Sequence, residues 1–162
     1  MTLTVYVLRH AQAGSAPEDK QRPLTEQGLL DMAKLGSYMQ KNKLLPSYCA
    51  CSAAKRTRQT FVALTALLGN VPVQYDDDLY NSSTGALFSA VQNTPAEHKS
   101  MMIVAHNPGI HGLAMFLANE ESKRSFVTGY APGSLTVLEL PADNWADIQP
   151  GTGVIKHFWS TR

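Results

Sequence analysis

The sequence predicts an α/β domain of three layers, with helices on both sides of a mostly parallel sheet. Three observations carry that expectation. Short runs rich in β-formers alternate along the chain with stretches of helical periodicity. One of those runs, Met101 to Ala105, is apolar at every position, the pattern of a strand covered on both faces. The chain has 162 residues, enough for one domain with a sizeable core and too few for two comfortable ones, so residues 1–162 are expected to form a single domain.

Taken in order, Leu3 to Leu8 reads as the first strand. "TEQGLLDMAKLGSYMQKN" then places Leu29, Met32, Ala33, Leu35, Gly36 and Met39 near one helical face, with Thr25 as N-cap. Tyr48 to Cys51 is a short second strand. "SAAKRTRQTFVALTALLG" follows as a helix capped by Ser52 and stopped by Gly69. Val71 to Tyr75 is expected at a sheet edge, because Pro72 has no N–H to give a ladder. A short helix over Thr84 to Gln92 leads into the strand ending at Ala105, and a further helix runs from Pro108, at its N1 position, to Asn119. Ser134 to Leu140 and Val154 to Trp159 are the last strands, joined as a hairpin across the turn-rich segment from Pro141 to Gly153. Trp145, Trp159, Phe61, Leu64, Leu67 and Leu68 read as core. Internal repeats, low-complexity tracts and linkers are not evident.

Bulk properties exclude several functions. The formal net charge is +1, from 14 basic and 13 acidic side chains, and no Lys/Arg-rich block forms a footprint for nucleic acid or an anionic membrane. No apolar run approaches the roughly 20 residues that span a bilayer. The first ten residues lack the charged start of a signal peptide, and Arg9 and His10 interrupt the apolar stretch, so a cytoplasmic location is expected. Cys49 and Cys51, one residue apart on a strand, share a face where a mutual disulfide would be strained; buried, reduced thiols fit better. No further ligands make them a metal site, and no cofactor is expected.

The chemistry gathers where the parallel strands end, since open α/β sheets bind ligands beyond their carboxyl edge. The first strand ends at Arg9 and His10. The second ends at Ser52, with Arg56 on the first turns of the next helix. "MMIVA" ends at His106, followed by Asn107 and Pro108, and the loop after the first strand carries Arg22 in "RPLTEQG". Three arginines and two histidines therefore point toward one rim. Guanidiniums bind the oxygens of a phosphoryl group in pairs, and helix N-termini after Ser52 and Asn107 add backbone donors. Phosphoryl transfer is mostly positioning and charge stabilisation. A histidine flanked by cations stays neutral and nucleophilic, a role that fits His10. Arg9 and His10 share a site only if pleating breaks after the strand, and the small residues Ala11, Ala13 and Gly14 suit a chain leaving the sheet.

These residues resemble the histidine phosphatase superfamily, also called the phosphoglycerate mutase-like fold, whose hallmark is Arg-His-Gly or Arg-His-Ala at the end of the first strand, here "LRHAQAG". "RPLTEQG" matches the segment carrying a phosphate-contacting arginine, Arg22. "CSAAKRTRQT" matches S-x-x-x-R-x-x-Q-T, whose arginine falls on Arg56, and "VAHNPGI" places the second histidine at His106. The match covers residues 3 to about 112. The short length, Ala11 and "HNPG" look like the SixA branch, phosphohistidine phosphatases acting on signalling proteins. The resemblance implies a six-stranded sheet with one antiparallel strand and helices on both faces. It also implies no metal and His10 as transient phosphate acceptor, with Arg9, Arg22, Arg56 and His106 holding the phosphoryl group. The partner would be a phosphorylated histidine-containing domain or a small phosphorylated molecule, and the chain a monomer.

One departure bears on substrate. Larger relatives carry a general-acid carboxylate after the third strand, and here the region reads "YDDDLYNSSTGAL". Asp76, Asp77 and Asp78 precede the match and read as a solvated acidic turn, while Tyr80 and Asn81 stand in the expected neighbourhood. A missing acid hurts an alkoxide leaving group most and tilts the substrate toward phosphohistidine. Two rivals stand beside this reading, a small-molecule phosphomonoesterase on the same site and a non-catalytic phosphoprotein-binding module. Arg58, in the turn beside Arg56, reads as a surface or salt-bridging group, and Arg22 has the alternative of bracing its loop. His98, His111 and His157 read as packing or surface residues.

Overall fold

The computed structural model describes residues 1–126 and 129–161. Strands β1 (Leu3–Arg9), β2 (Cys49–Ser52), β3 (Val73–Asp76), β4 (Ser100–Ala105), β5 (Leu135–Leu140) and β6 (Val154–Trp159) form one sheet in the order β3-β2-β4-β1-β5-β6. β3, β2, β4 and β1 are parallel, β5 is antiparallel to β1, and β6 is antiparallel to β5. Only β5 therefore runs against the rest, and β6 ends at the same edge of the sheet as β1. Helices α1 (Glu26–Lys41), α2 (Lys55–Leu68), α3 (Thr84–Gln92) and α4 (Gly109–Leu117) cover the two faces. The three-layer architecture and the single antiparallel strand are those expected from the sequence.

Strand alternation divides the core. Val5 and Val7 of β1 join Met101 and Ile103 of β4 against α3 and α4, through Leu87, Val91, Ile110, Leu113 and Leu117. Tyr6 and Leu8 join Met102 and Val104 on the other face, against Met32, Leu35 and Met39 of α1 and Phe61 and Leu64 of α2. Burial on both faces accounts for the uninterrupted apolar run of β4. Cys49 and Cys51 lie in this second layer as buried free thiols.

Several boundaries and faces differ from the sequence expectation. In α1 the buried stripe is Gly28, Asp31, Met32, Leu35, Gly36 and Met39, while Leu29 is 48% exposed and Ala33 also faces outward. Close approach sets this phase. A Cβ on Gly28 would overlap the carbonyl oxygen of Gln12, and one on Gly36 would lie 2.6 Å from Cδ1 of Leu67. Both glycines must face inward, which turns Leu29 away. Ser52 is not the cap of α2: β2 extends through it by pairing with Asp76, and Ala54 becomes an N-cap without a side-chain bond. Pro108 is the N-cap residue of α4 rather than N1. β3 starts only after Pro72, whose carbonyl accepts from the Cys49 N–H at 2.9 Å. Leu67 is partly exposed, and Leu68 and Trp159 are only half-buried. Among the described residues, no helix is long and apolar enough to cross a membrane.

Candidate active site

β1 delivers two groups to the carboxyl edge and then leaves the sheet. The N–H of His10 continues the parallel ladder to Ala105 O at 3.2 Å, and Gly133 N donates to the carbonyls of Arg9 and His10 at 3.2 and 2.9 Å. The next N–H, from Ala11, goes to Thr60 Oγ1 of α2 at 3.0 Å. Pleating thus ends at His10, as the sharing of one site by Arg9 and His10 requires.

His10 is 7% exposed. Its Nδ1 stands 2.8 Å from the carbonyl oxygen of Ala11. A carbonyl only accepts, so Nδ1 carries the proton and Nε2 keeps its lone pair. Burial drives the pKa of His10 down to about 4, outweighing the Ala11 bond, and the charges of Arg9, Arg56 and Arg22 push the same way. The imidazole is neutral at physiological pH, as expected from its cationic neighbours, but burial rather than those neighbours is the larger cause.

His106 faces His10 with ring centroids 5.3 Å apart. Its Nε2 is 2.8 Å from Ser52 Oγ. Ser52 Oγ also accepts from the Ala54 N–H at 3.4 Å; where its own proton goes to Nε2, the His106 hydrogen sits on Nδ1. That Nδ1 is buried and has no acceptor among the described residues. The His106 pKa falls to about 3, first by burial and then through His10, Arg56 and Arg9, with Asp19 opposing.

Each arginine is anchored by part of its fork. Arg9 Nη1 donates to Tyr130 O at 2.9 Å, and Tyr130 OH in turn donates to Val7 O at 2.7 Å. Arg22 Nε donates to Gly14 O at 2.8 Å and Nη1 to Asp19 Oδ1 at 3.3 Å. Arg56, 4% exposed, donates from Nη1 to Asp19 O at 2.8 Å and from Nη2 to Asp19 Oδ2 at 3.0 Å. The Nε groups of Arg9 and Arg56 are buried and without partners among the described residues. Unmade charged donors in a protein interior point to an anionic ligand.

The sequence-derived candidates His10, His106, Arg9, Arg22 and Arg56 are thus brought together. Arg58 instead stacks over Tyr75 at 4.1 Å and donates to Ala53 O. Of the acidic turn, Asp76 caps the Asp78 N–H and Asp77 pairs with Lys20 at 3.0 Å, both at the surface.

Two members escaped the sequence reading of the site. Asp19 receives Arg22, Arg56 and the Tyr80 hydroxyl together. The Tyr80 bond, with the two guanidiniums, lowers its pKa to about 2 against an opposing effect of burial. Tyr80 also sets its ring edge-on to His106 at 5.5 Å, with the Arg56 guanidinium 5.8 Å from its centroid. Tyr80 lay in a segment singled out for its missing acid; Asp19, three residues before Arg22, carried no local signal.

Residues 5–90 match the family described as histidine phosphatase superfamily (branch 1), a span that includes Arg9, His10, Arg22 and Arg56. A candidate phosphohistidine phosphatase SixA from Nakamurella multipartitia superposes with a TM-score of 0.87 at 26% identity, covering 99% of this chain and 96% of that one. A second such candidate, from Agrobacterium tumefaciens, gives 0.85 at 25% identity, over 98% and 97% of the two chains. An uncharacterised protein of Mycobacterium tuberculosis is 26% identical over 158 residues, 93% of this chain and 98% of its own length. The chain belongs to branch 1 of the histidine phosphatase superfamily and is a phosphatase of that family.

Proposed function

We propose that this phosphatase hydrolyses phosphohistidine on a signalling protein, without a metal ion, through a phosphoenzyme on His10. The supporting observation is the neutral, buried His10 with its Nε2 lone pair free, facing His106 and within the field of three guanidiniums. Nε2 attacks phosphorus while the bond from phosphorus to the substrate imidazole breaks. That imidazole takes a proton from solvent on its far nitrogen and leaves neutral. Arg9, Arg22 and Arg56 hold the non-bridging oxygens, and His106 donates from Nδ1 to one of them. Water then attacks phosphorus, the Nε2–P bond breaks, and inorganic phosphate departs.

The positive charge a metal would bring is already supplied by the guanidiniums. Asp19, the carboxylate beside them, is ionised far below neutral pH and donates no proton to a leaving group. An alkoxide suffers from that; an imidazole protonated from solvent does not. The buried thiols of Cys49 and Cys51 accord with a reducing, cytoplasmic setting.

Alkaline-quench labelling with a phosphorylated histidine-containing domain tests the proposal. The wild type should yield an acid-labile, base-stable phosphoenzyme, His10→Ala none, and EDTA should leave turnover intact. Phosphate binding without any phosphoenzyme would establish a non-catalytic module instead, and faster turnover of simple alkyl phosphates would establish a general phosphomonoesterase.

A further inference from the structure

A second polar cleft lies on the same edge of the sheet as the phosphate site. It has a volume of about 460 Å³ and is lined by Gln12, Gln27, Asp31, Lys34 and Trp159, with Ser160 and Thr161. Gln12 is two residues beyond His10, so their Cα atoms are no more than about 7.6 Å apart. Trp159 ends β6, which runs parallel to β1 and reaches the same edge.

The cleft is built around one carboxylate. Asp31 is 6% exposed, and its Oδ1 accepts from Gln27 Nε2 at 2.8 Å, one helical turn earlier. Among the described residues no cation forms an ion pair with it, although Lys34 lines the same cleft. A carboxylate side chain offers about four acceptor sites, of which the Gln27 amide fills one. A carboxylate lining a cleft offers its open acceptor sites to a cationic head, and Trp159 adds an aromatic wall of the kind that attracts lysine or arginine heads.

We infer that the cleft of Asp31, Gln27 and Trp159 receives a lysine or arginine side chain of the phosphorylated partner, beside the histidine whose phosphoryl group enters the arginine cage. The identification of the partner rests on the proposed phosphohistidine activity; the cation site does not. Positive and negative subsites next to each other read a phosphoryl group and a cation in one register. An arginine cage alone accepts any phosphate, so the carboxylate supplies the discrimination.

Two arms test this on the full chain, with Asp31→Asn as the variant, since an amide oxygen can keep the Gln27 bond. In the first, N-acetyl-arginine N-methylamide is titrated while the indole N–H resonance of Trp159 is followed by NMR. The resonance should shift in the wild type and stay fixed in Asp31→Asn, and the uncharged citrulline analogue should leave both unmoved. Equal shifts in wild type and variant, or none in either, overturn the cation site whatever the enzyme hydrolyses.

The second arm compares glycine-based peptides carrying one phosphohistidine and either arginine or glutamate at each flanking position. At one position the arginine peptide should gain about tenfold in kcat/KM over the glutamate peptide, and Asp31→Asn should remove most of that gain. Turnover of phosphoimidazole should be the same in both proteins. Equal rates for arginine and glutamate at every position exclude the cleft from substrate recognition. Loss of phosphoimidazole turnover in the wild type would instead strike the phosphohistidine reading, leaving the first arm to decide on the cation site.

Discussion

The floor and the rim of the proposed phosphate site are built by different means. The floor is His10, His106 and Arg56, all nearly buried and fixed largely by bonds to backbone groups or to Ser52 and Asp19. The rim is Arg22, Asp19 and Lys20, partly exposed and held by side-chain ion pairs, Asp19 to Arg22 and Arg56 and, separately, Lys20 to Asp77. Burial makes the floor histidines neutral, and solvent screens the rim groups. The contrast teaches that reactivity and capture are separable here. Reactivity comes from desolvated groups that cannot rearrange, and capture from charges that can.

The largest effect should come from His10, the proposed nucleophile. His10→Ala should lower turnover by about 10⁴-fold or more, with no phosphoenzyme in a rapid-quench experiment. Arg56→Lys keeps the charge and loses the planar fork, and kcat/KM should fall about 10²-fold, mostly in kcat, in steady-state assays. Arg22→Ala, at the rim, should raise KM about tenfold and leave kcat nearly unchanged. The smallest effect is expected from Asp19→Asn, which preserves an acceptor between the two arginines and should move KM by less than about fivefold. A kcat loss at Asp19 or Arg22 as large as that at Arg56 would erase the distinction between floor and rim.

The same contrast predicts a pH dependence of stability. Both floor histidines have pKa values below the ordinary 6.5, so below that pH the unfolded chain binds protons that the folded chain does not. Their contribution is complete above pH 6.5 and is lost as pH falls from there toward about 4 for His10 and about 3 for His106. The slope approaches about 1.4 kcal/mol per pH unit for each histidine inside its window. Urea midpoints between pH 7 and 4.5 should fall in the wild type and fall less steeply in His10→Asn.

Arg9, His10, Arg56 and His106 were legible because each stands at or within a few residues of a strand end, and parallel strands deliver their ends to one edge. Arg22, in the loop after β1, was legible from its "RPLTEQG" segment. Asp19 and Tyr80 were not legible, since their bond joins residues far apart in sequence and exists only once the loop before α1 meets the segment after β3. Ser52 was visible but misread. A serine before a helical pattern looks like a cap, and only its pairing with Asp76 shows that it belongs to the strand and turns its hydroxyl to His106. The face of α1 failed for a related reason. Leu29 and Leu30 follow Gly28, and a hydrophobic pattern cannot say that the residue lacking a side chain must be the one inside. Asp31, one turn further on, follows the same phase, so its burial was hidden with it.

The contact at Gly28 therefore governs more than helix packing. With no space for even a methyl group between the first turn of α1 and the backbone at Gln12, the helix works as a rigid lever 16 residues long, its far end seated in the core through Met39. Any tilt of that lever is felt two residues from the reactive ring. Gly28→Ala should accordingly behave as an activity lesion remote from the chemistry, displacing the ring proposed to attack phosphorus while every group proposed to touch phosphate keeps its identity.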